Sequence, residues 1–187
     1  LLGLPDRPLH GLILAYLGQA VIFVEANDPP DERRFTIAHE LAHYLLDYYD
    51  PRDRAIQAAG RGALAVLDGV RPPTVEERLH AILAAAPLDA FTYVVERLPD
   101  GSPPSARVAC SESDADLLAF ELLAPRADVC ARVTLSDLPS RWGNRLAALT
   151  RLLAKDFGLP VHAARSYAAH LAAVLWGGPG FRDWLEC

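Results

Sequence analysis

The stretch RRFTIAHELAHYLLD, Arg33 to Asp47, sets two histidines four residues apart with a glutamate directly after the first. At about 100° per residue, Thr36, His39, Glu40, His43 and Asp47 gather on one stripe of a helix. Phe35, Ala38, Leu41, Ala42 and Leu45 take the opposite side. That pattern predicts an amphipathic helix, and on its own it fits an ordinary wet face as well as a site. The spacing also has a mechanical use. Residues i and i+4 project one turn apart, so two imidazoles can reach one tetrahedral zinc ion at about 2.0–2.1 Å each. The intervening glutamate then lies off the metal but close enough to take a proton from a water the metal activates.

A catalytic zinc ion wants a third protein ligand and an open position. The segment SESDADLLAFELLAP, 111–125, reads as a helix stopped by Pro125. Asp114 and Glu121, one heptad apart, mark its solvent side. Glu112 and Asp116 lie on another face, in line with Ala119 and Leu123. Carboxylates turned toward a core cost several kcal/mol each, on the order of magnitude of a buried ion, unless a cation or strong donors meet them. Zinc would meet Glu112, and the second ring N–H of a ligating histidine would meet Asp116. The plain alternative is a frayed helix end with both carboxylates wet, Glu112 beside a capping Ser111 favouring the positive terminus. Asp114 is the rival ligand and sits on the wrong face.

Composition bounds the rest. The 187 residues suffice for one domain with a real core, and 51% are hydrophobic, which excludes a disordered chain. A net charge of −6 offers no global attraction to nucleic acid or anionic membrane. No run is long and apolar enough to span a bilayer, and the opening LLGLPDRPLHGLILAYLG, broken by Pro, Asp and Arg, does not read as a signal peptide. Cys110, Cys130 and Cys187 form no C-x-x-C pair, which fits a reduced, cytoplasmic setting.

Around the two key helices, AVIFV (20–24) reads as a strand, with helix from about Pro29 to Leu46 capped by Asp28. A second helix is expected from Asp50-Pro51 to Asp68-Gly69. Thr74 with Glu77 forms a capping box opening a third, TVEERLHAILAAA. FTYVVERL and SARVAC, either side of PDGSPP, read as a β-hairpin. NRLAALTRLLAKDF and VHAARSYAAHLAAVLW read as two helices joined at Gly158-Leu159-Pro160. The expected class is α+β, mostly helical with a small sheet. The expected organisation is a single domain over 1–187, with 47–110 inserted between the two candidate zinc helices and a helix pair over 140–176.

With RRFTIAHELAHYLL followed by ESDADLLAFELLAP, the chain resembles the ImmA/IrrE family of zinc metallopeptidases. The matching positions are Arg34, Phe35, Thr36, Ala38, His39, Glu40 and His43, then Glu112, Ala115, Asp116, Ala119, Leu122, Leu123 and Pro125. The E-x-x-x-D pairing also resembles thermolysin-like zinc peptidases. The resemblance implies an α+β metalloprotease core and cytoplasmic endoproteolysis of a helix-turn-helix repressor, hence a part in transcription regulation. The assignments that follow are Zn²⁺ on His39, His43 and Glu112, Glu40 as catalytic base, and Asp116 orienting a histidine. The long separation of the two motifs departs from the compact family pattern and leaves the substrate open.

Other residues carry weaker signals. His162, Tyr167 and His170 are the right types to stabilise an oxyanion. Their helix is expected to bury Val161, Ala164, Ala168, Leu171 and Leu175 instead, leaving those three as solvated surface along with His80. His10 sits in a loop. The cysteines read as buried or incidental, with Cys110 the one to check for metal contact. AVIFV is either a core strand or an edge on which an extended substrate could pair. Two rival readings stand beside the peptidase. One is a DNA-binding helix pair with Arg141, Arg145, Arg151, Lys155 and Arg165 set against only Asp156. The other is a protein that sequesters a repressor without cutting it.

Overall fold

The computed structural model describes residues 10–83, 105–133, 139 and 141–177. It is α+β and mostly helical, as the sequence leads one to expect. Its small sheet is two-stranded, β1 (Gly11–Tyr16) beside β2 (Gln19–Val24). β2 is the expected AVIFV strand. β1 lies in the apolar opening, where no strand is expected. Leu17 and Gly18 join the strands with φ values of 50° and 79°, the double positive φ that matches a tight two-residue hairpin to the twist of its strands.

The chain divides into two compact units. The first comprises the described residues of Leu1–His10, Val24–His39 and Asp116–Cys187. It holds most of α1 (Pro30–His43), the second half of α5 (Ala106–Leu123), α6 (Arg126–Arg132), α7 (Trp142–Asp156) and α8 (Val161–Trp176). α1 starts at Pro30, whose missing N–H costs nothing in a first turn, with Asp31 and Glu32 favouring the positive end. The carboxylate of Asp28 meets His10 Nδ1 at 2.7 Å. Phe120, Leu149, Leu153, Leu159, Ala164, Tyr167 and Leu171 form the core, and Phe35 packs against it.

The joint between α7 and α8 falls where Gly158-Leu159-Pro160 predicts. Gly158 has φ 64°, and the Leu159 N–H reaches back to the Leu153 carbonyl at 3.2 Å, closing α7 with a glycine-dependent stop. Arg34 donates to the Phe157 carbonyl at the same helix end. The expected burial on α8 needs correction. Tyr167 is 1% exposed and belongs to the core, whereas Val161 is 62% and Leu175 41% exposed. His162 and His170 are exposed as expected.

The second unit comprises Gly11–Phe23 and the described residues of Glu40–Ala115. α1 is continued by a π-helical turn, Tyr44–Tyr49, before α2 (Asp50–Ala59). The single helix expected up to Gly69 is broken. Gly60, at φ 78°, ends α2, and a 3₁₀ turn (Arg61–Ala63) and α3 (Leu64–Leu67) follow. α4 (Val75–Leu83) opens on the expected capping box, with the Glu77 N–H on Thr74 Oγ1 at 3.2 Å and the Thr74 N–H on Glu77 Oε2 at 2.8 Å. Ala55, Ala63, Leu67 and Ala81 form this unit's small core. Two tyrosine hydroxyls hold the hairpin turn. The Gly18 N–H donates to Tyr48 Oη at 2.8 Å, and Tyr44 Oη donates to the Gly18 carbonyl at 2.9 Å.

The expected hairpin is overturned in its second half. SARVAC is the start of α5, capped by Ser105, whose Oγ accepts the Val108 N–H at 3.3 Å. FTYVVERL and PDGSPP lie outside the described residues. Ser111 is therefore no cap but an interior residue of a helix that starts five residues earlier.

Candidate metal centre

α1 and α5 supply every side chain of the candidate site. His39 and His43 stand one turn apart near the end of α1, and Glu112 and Asp116 stand one turn apart on α5. His39, His43 and Glu112 each offer one ligand atom, and these atoms all lie within 4.8 Å of one another. Glu40, half-buried, follows His39 on α1.

Each imidazole has its own carboxylate. His39 Nδ1 lies 2.9 Å from Asp116 Oδ1, and His43 Nδ1 lies 2.7 Å from Asp47 Oδ2. With Nδ1 of both rings on carboxylates, Nε2 is the nitrogen that would face an ion. His43 Nε2 stands 3.5 Å from Glu112 Oε1. That is close to the edge of a tetrahedron whose corners lie about 2.1 Å from its centre, the spacing zinc requires. The donor set of two imidazoles and one carboxylate therefore fits a zinc ion with a position left open. Asp47 Oδ2 also accepts from Ser111 Oγ at 2.8 Å.

Burial differs across the cluster. The side chains of His43 and Glu112 are 11% and 20% exposed, His39 is 18% and Asp116 46%. Asp116 is thus less buried than its place in line with apolar residues predicts. Burial of the His43 ring opposes its charge, but the hydrogen bonds and charges of Asp47 and Glu112 outweigh that and raise its pKa to about 9. For Asp47, burial works upward, yet His43 and Ser111 hold the carboxyl below the ordinary value.

Other candidates stay outside this cluster. Cys110 and Cys130 are exposed and neither is one of the three clustered ligands, so of the two expectations, buried or incidental, these two are not buried. Asp114 and His80 are exposed. His162 faces Glu32 at 3.3 Å and meets the Phe35 ring edge-on. Tyr167 Oη lies 3.0 Å from Glu121 Oε1 and 3.2 Å from the Ala124 carbonyl, so its hydroxyl is spent inside the fold. Sequence reasoning misses Asp47 and Ser111 as working residues. Asp47 stands four residues after His43, a signal that is present in the sequence, whereas Ser111 is hidden by its false reading as a cap.

The motif residues that carry no ligand also have places. Phe35 stacks on Phe120, with ring centroids 5.6 Å apart, and Phe120 stacks on Tyr167 at 4.8 Å. Arg34 ties α1 to the end of α7. Ala38 and Ala42 are buried on the face of α1 away from the histidines.

No curated protein and no solved structure matches the chain. A family model described as Peptidase_M78, IrrE N-terminal-like domain, matches residues 4–63. That family is of the metallopeptidase type, and the match covers β1, β2 and the H-E-x-x-H helix but not Glu112. Residues 4–63 are thus similar to the IrrE N-terminal-like domain, in keeping with the ImmA/IrrE resemblance of the first motif.

Proposed function

We propose that this chain is a zinc-dependent endopeptidase that cuts a regulatory protein of the helix-turn-helix repressor type in the reducing cytoplasm. The observation that carries the reading is the convergence of His39, His43 and Glu112 with Nδ1 of each histidine already held by a carboxylate. A wet helix face has no need of that backing. The free thiols of Cys110 and Cys130 agree with the compartment, and no helix among the described residues is long and apolar enough to cross a membrane.

His39, His43 and Glu112 would hold the ion. When bound, zinc polarises a peptide carbonyl and makes a water acidic near neutral pH. Glu40, adjacent to His39 on α1, accepts the proton of the attacking water and returns it to the leaving amine. Asp116 keeps the proton of His39 on Nδ1, so that Nε2 presents a lone pair. An extended substrate would add to β2, which pairs only with β1 among the described residues and exposes Val21 and Phe23 by 57% and 52%.

The test uses zinc-loaded protein incubated with candidate repressors and watched for fragments. Glu40→Gln should keep its zinc and lose about 10²- to 10⁴-fold in cleavage rate. A variant that retains both zinc and full cleavage would remove Glu40 from the chemistry. A zinc-loaded parent that captures a repressor but never cuts it would favour the sequestering reading.

A further inference from the structure

Asp47 and Ser111 are not among the three clustered ligands, yet their contacts are specific. Asp47 lies in the π-helical turn that continues α1, and its Oδ2 meets His43 Nδ1 at 2.7 Å and Ser111 Oγ at 2.8 Å. Ser111 sits in α5 immediately before Glu112. The four residues therefore close a loop of contacts: His43 to Asp47, Asp47 to Ser111, Ser111 along the backbone to Glu112, and Glu112 Oε1 back to His43 Nε2 at 3.5 Å.

We propose that Asp47 and Ser111 are positioning residues that lock the His43–Glu112 half of the metal centre before the ion arrives. Their role rests on the zinc reading of the site. Asp47 holds the proton of His43 on Nδ1, so that Nε2 is the nitrogen that ligates once the ion is bound. A neutral imidazole left without that acceptor can place its proton on either nitrogen and can turn about its own axis, and half of those states cannot ligate. Ser111 donates its hydroxyl proton to Asp47 and fixes the carboxylate's rotamer. Because Ser111 and Glu112 are neighbours on one helix, the same bond sets the distance between His43 and the carboxylate ligand. The two histidines are not backed equally. Asp116, behind His39, is 46% exposed, whereas Asp47 is 24% exposed. Water can substitute for the first more readily than for the second.

The experiment measures zinc affinity by chelator competition on the full chain, with circular dichroism and melting of the metal-free protein as controls for folding. Asp47→Ala should lose about 10- to 100-fold in affinity, and Ser111→Ala a smaller factor that Ser111→Thr, which keeps the hydroxyl, restores. In the zinc-loaded parent, ¹⁵N spectra of the His43 ring should show the proton on Nδ1. Asp47→Ala binding as tightly as a parent that itself binds zinc, or a His43 proton found on Nε2, would overturn the assignment while leaving the zinc reading intact. Failure of the parent to take up zinc would instead overturn the zinc reading, and this assignment with it. Failure of Ser111→Thr to restore affinity would strike Ser111 from it.

Discussion

Replacing Tyr167 by Phe removes one oxygen from the middle of the first unit and leaves the ring in place. The ring is 1% exposed and stacks on Phe120 at 4.8 Å, so the substitution keeps its packing. The hydroxyl has one proton and two acceptors, Glu121 Oε1 at 3.0 Å and the buried Ala124 carbonyl at 3.2 Å. Glu121 lies on the exposed side of α5 and can take water in exchange, which discounts the charged partner. The Ala124 carbonyl, at the end of α5, is the group left short. The loss should be about 1–2 kcal/mol, or about 2–8 °C in melting temperature for a chain of this size. A pH signature goes with it. Burial pushes the phenol above its usual 10.0, and the Glu121 carboxylate pushes the same way. A group that holds its proton more tightly when folded contributes stability below its unfolded pKa and loses it as pH rises toward the folded value. The parent should therefore weaken above pH 10, and Tyr167→Phe should lack that part of the decline. Melting curves of both proteins at neutral pH and above pH 10 measure this. Equal melting temperatures at neutral pH would mean the hydroxyl is solvated surface, as a helical wheel suggests, and would refute its burial against the Ala124 carbonyl.

Gly158→Ala should cost about 1 kcal/mol or more, since φ is 64° and an added Cβ would meet the Arg34 guanidinium at 3.3 Å; unchanged melting would show that the joint tolerates a side chain. Glu77 is held by the Arg71 fork at 2.5 and 2.8 Å and by the Thr74 N–H, which bring its pKa from 4.5 down to about 2. Its contribution to α4 is therefore present above pH 4.5 and lost as pH falls through about 2. Carboxyl NMR titration reads this directly, and a midpoint near 4.5 would show that the fork does not form.

The candidate cluster is legible in the sequence because it is a matter of spacing along two helices: His39 and His43 at i and i+4, and Glu112 and Asp116 at the same interval. Helical period converts such intervals directly into a shared face. Tyr167 is misplaced by a wheel that sorts by polarity, because a phenol is polar only at its tip. The acceptors that let its hydroxyl sink into the core, Glu121 and the Ala124 carbonyl, lie more than forty residues away. SARVAC invites a strand through its valine and its turn-rich prelude, yet Ser105 caps and the run continues α5 without a break. The break at Gly60 is signalled by its glycine but hidden within a long helix-forming stretch. The pairing of Asp47 with Ser111 depends on two segments meeting across 64 positions of chain, which no local pattern encodes.

The most direct test is the zinc content of the purified chain together with the identity of the atoms around the metal, read from a structure phased at the zinc edge. One zinc per chain is predicted, held by Nε2 of His39, Nε2 of His43 and a carboxylate oxygen of Glu112, and lost in His39→Ala. A chain that takes up no zinc, or one that holds it as tightly without the His39 imidazole, would contradict the metallopeptidase reading.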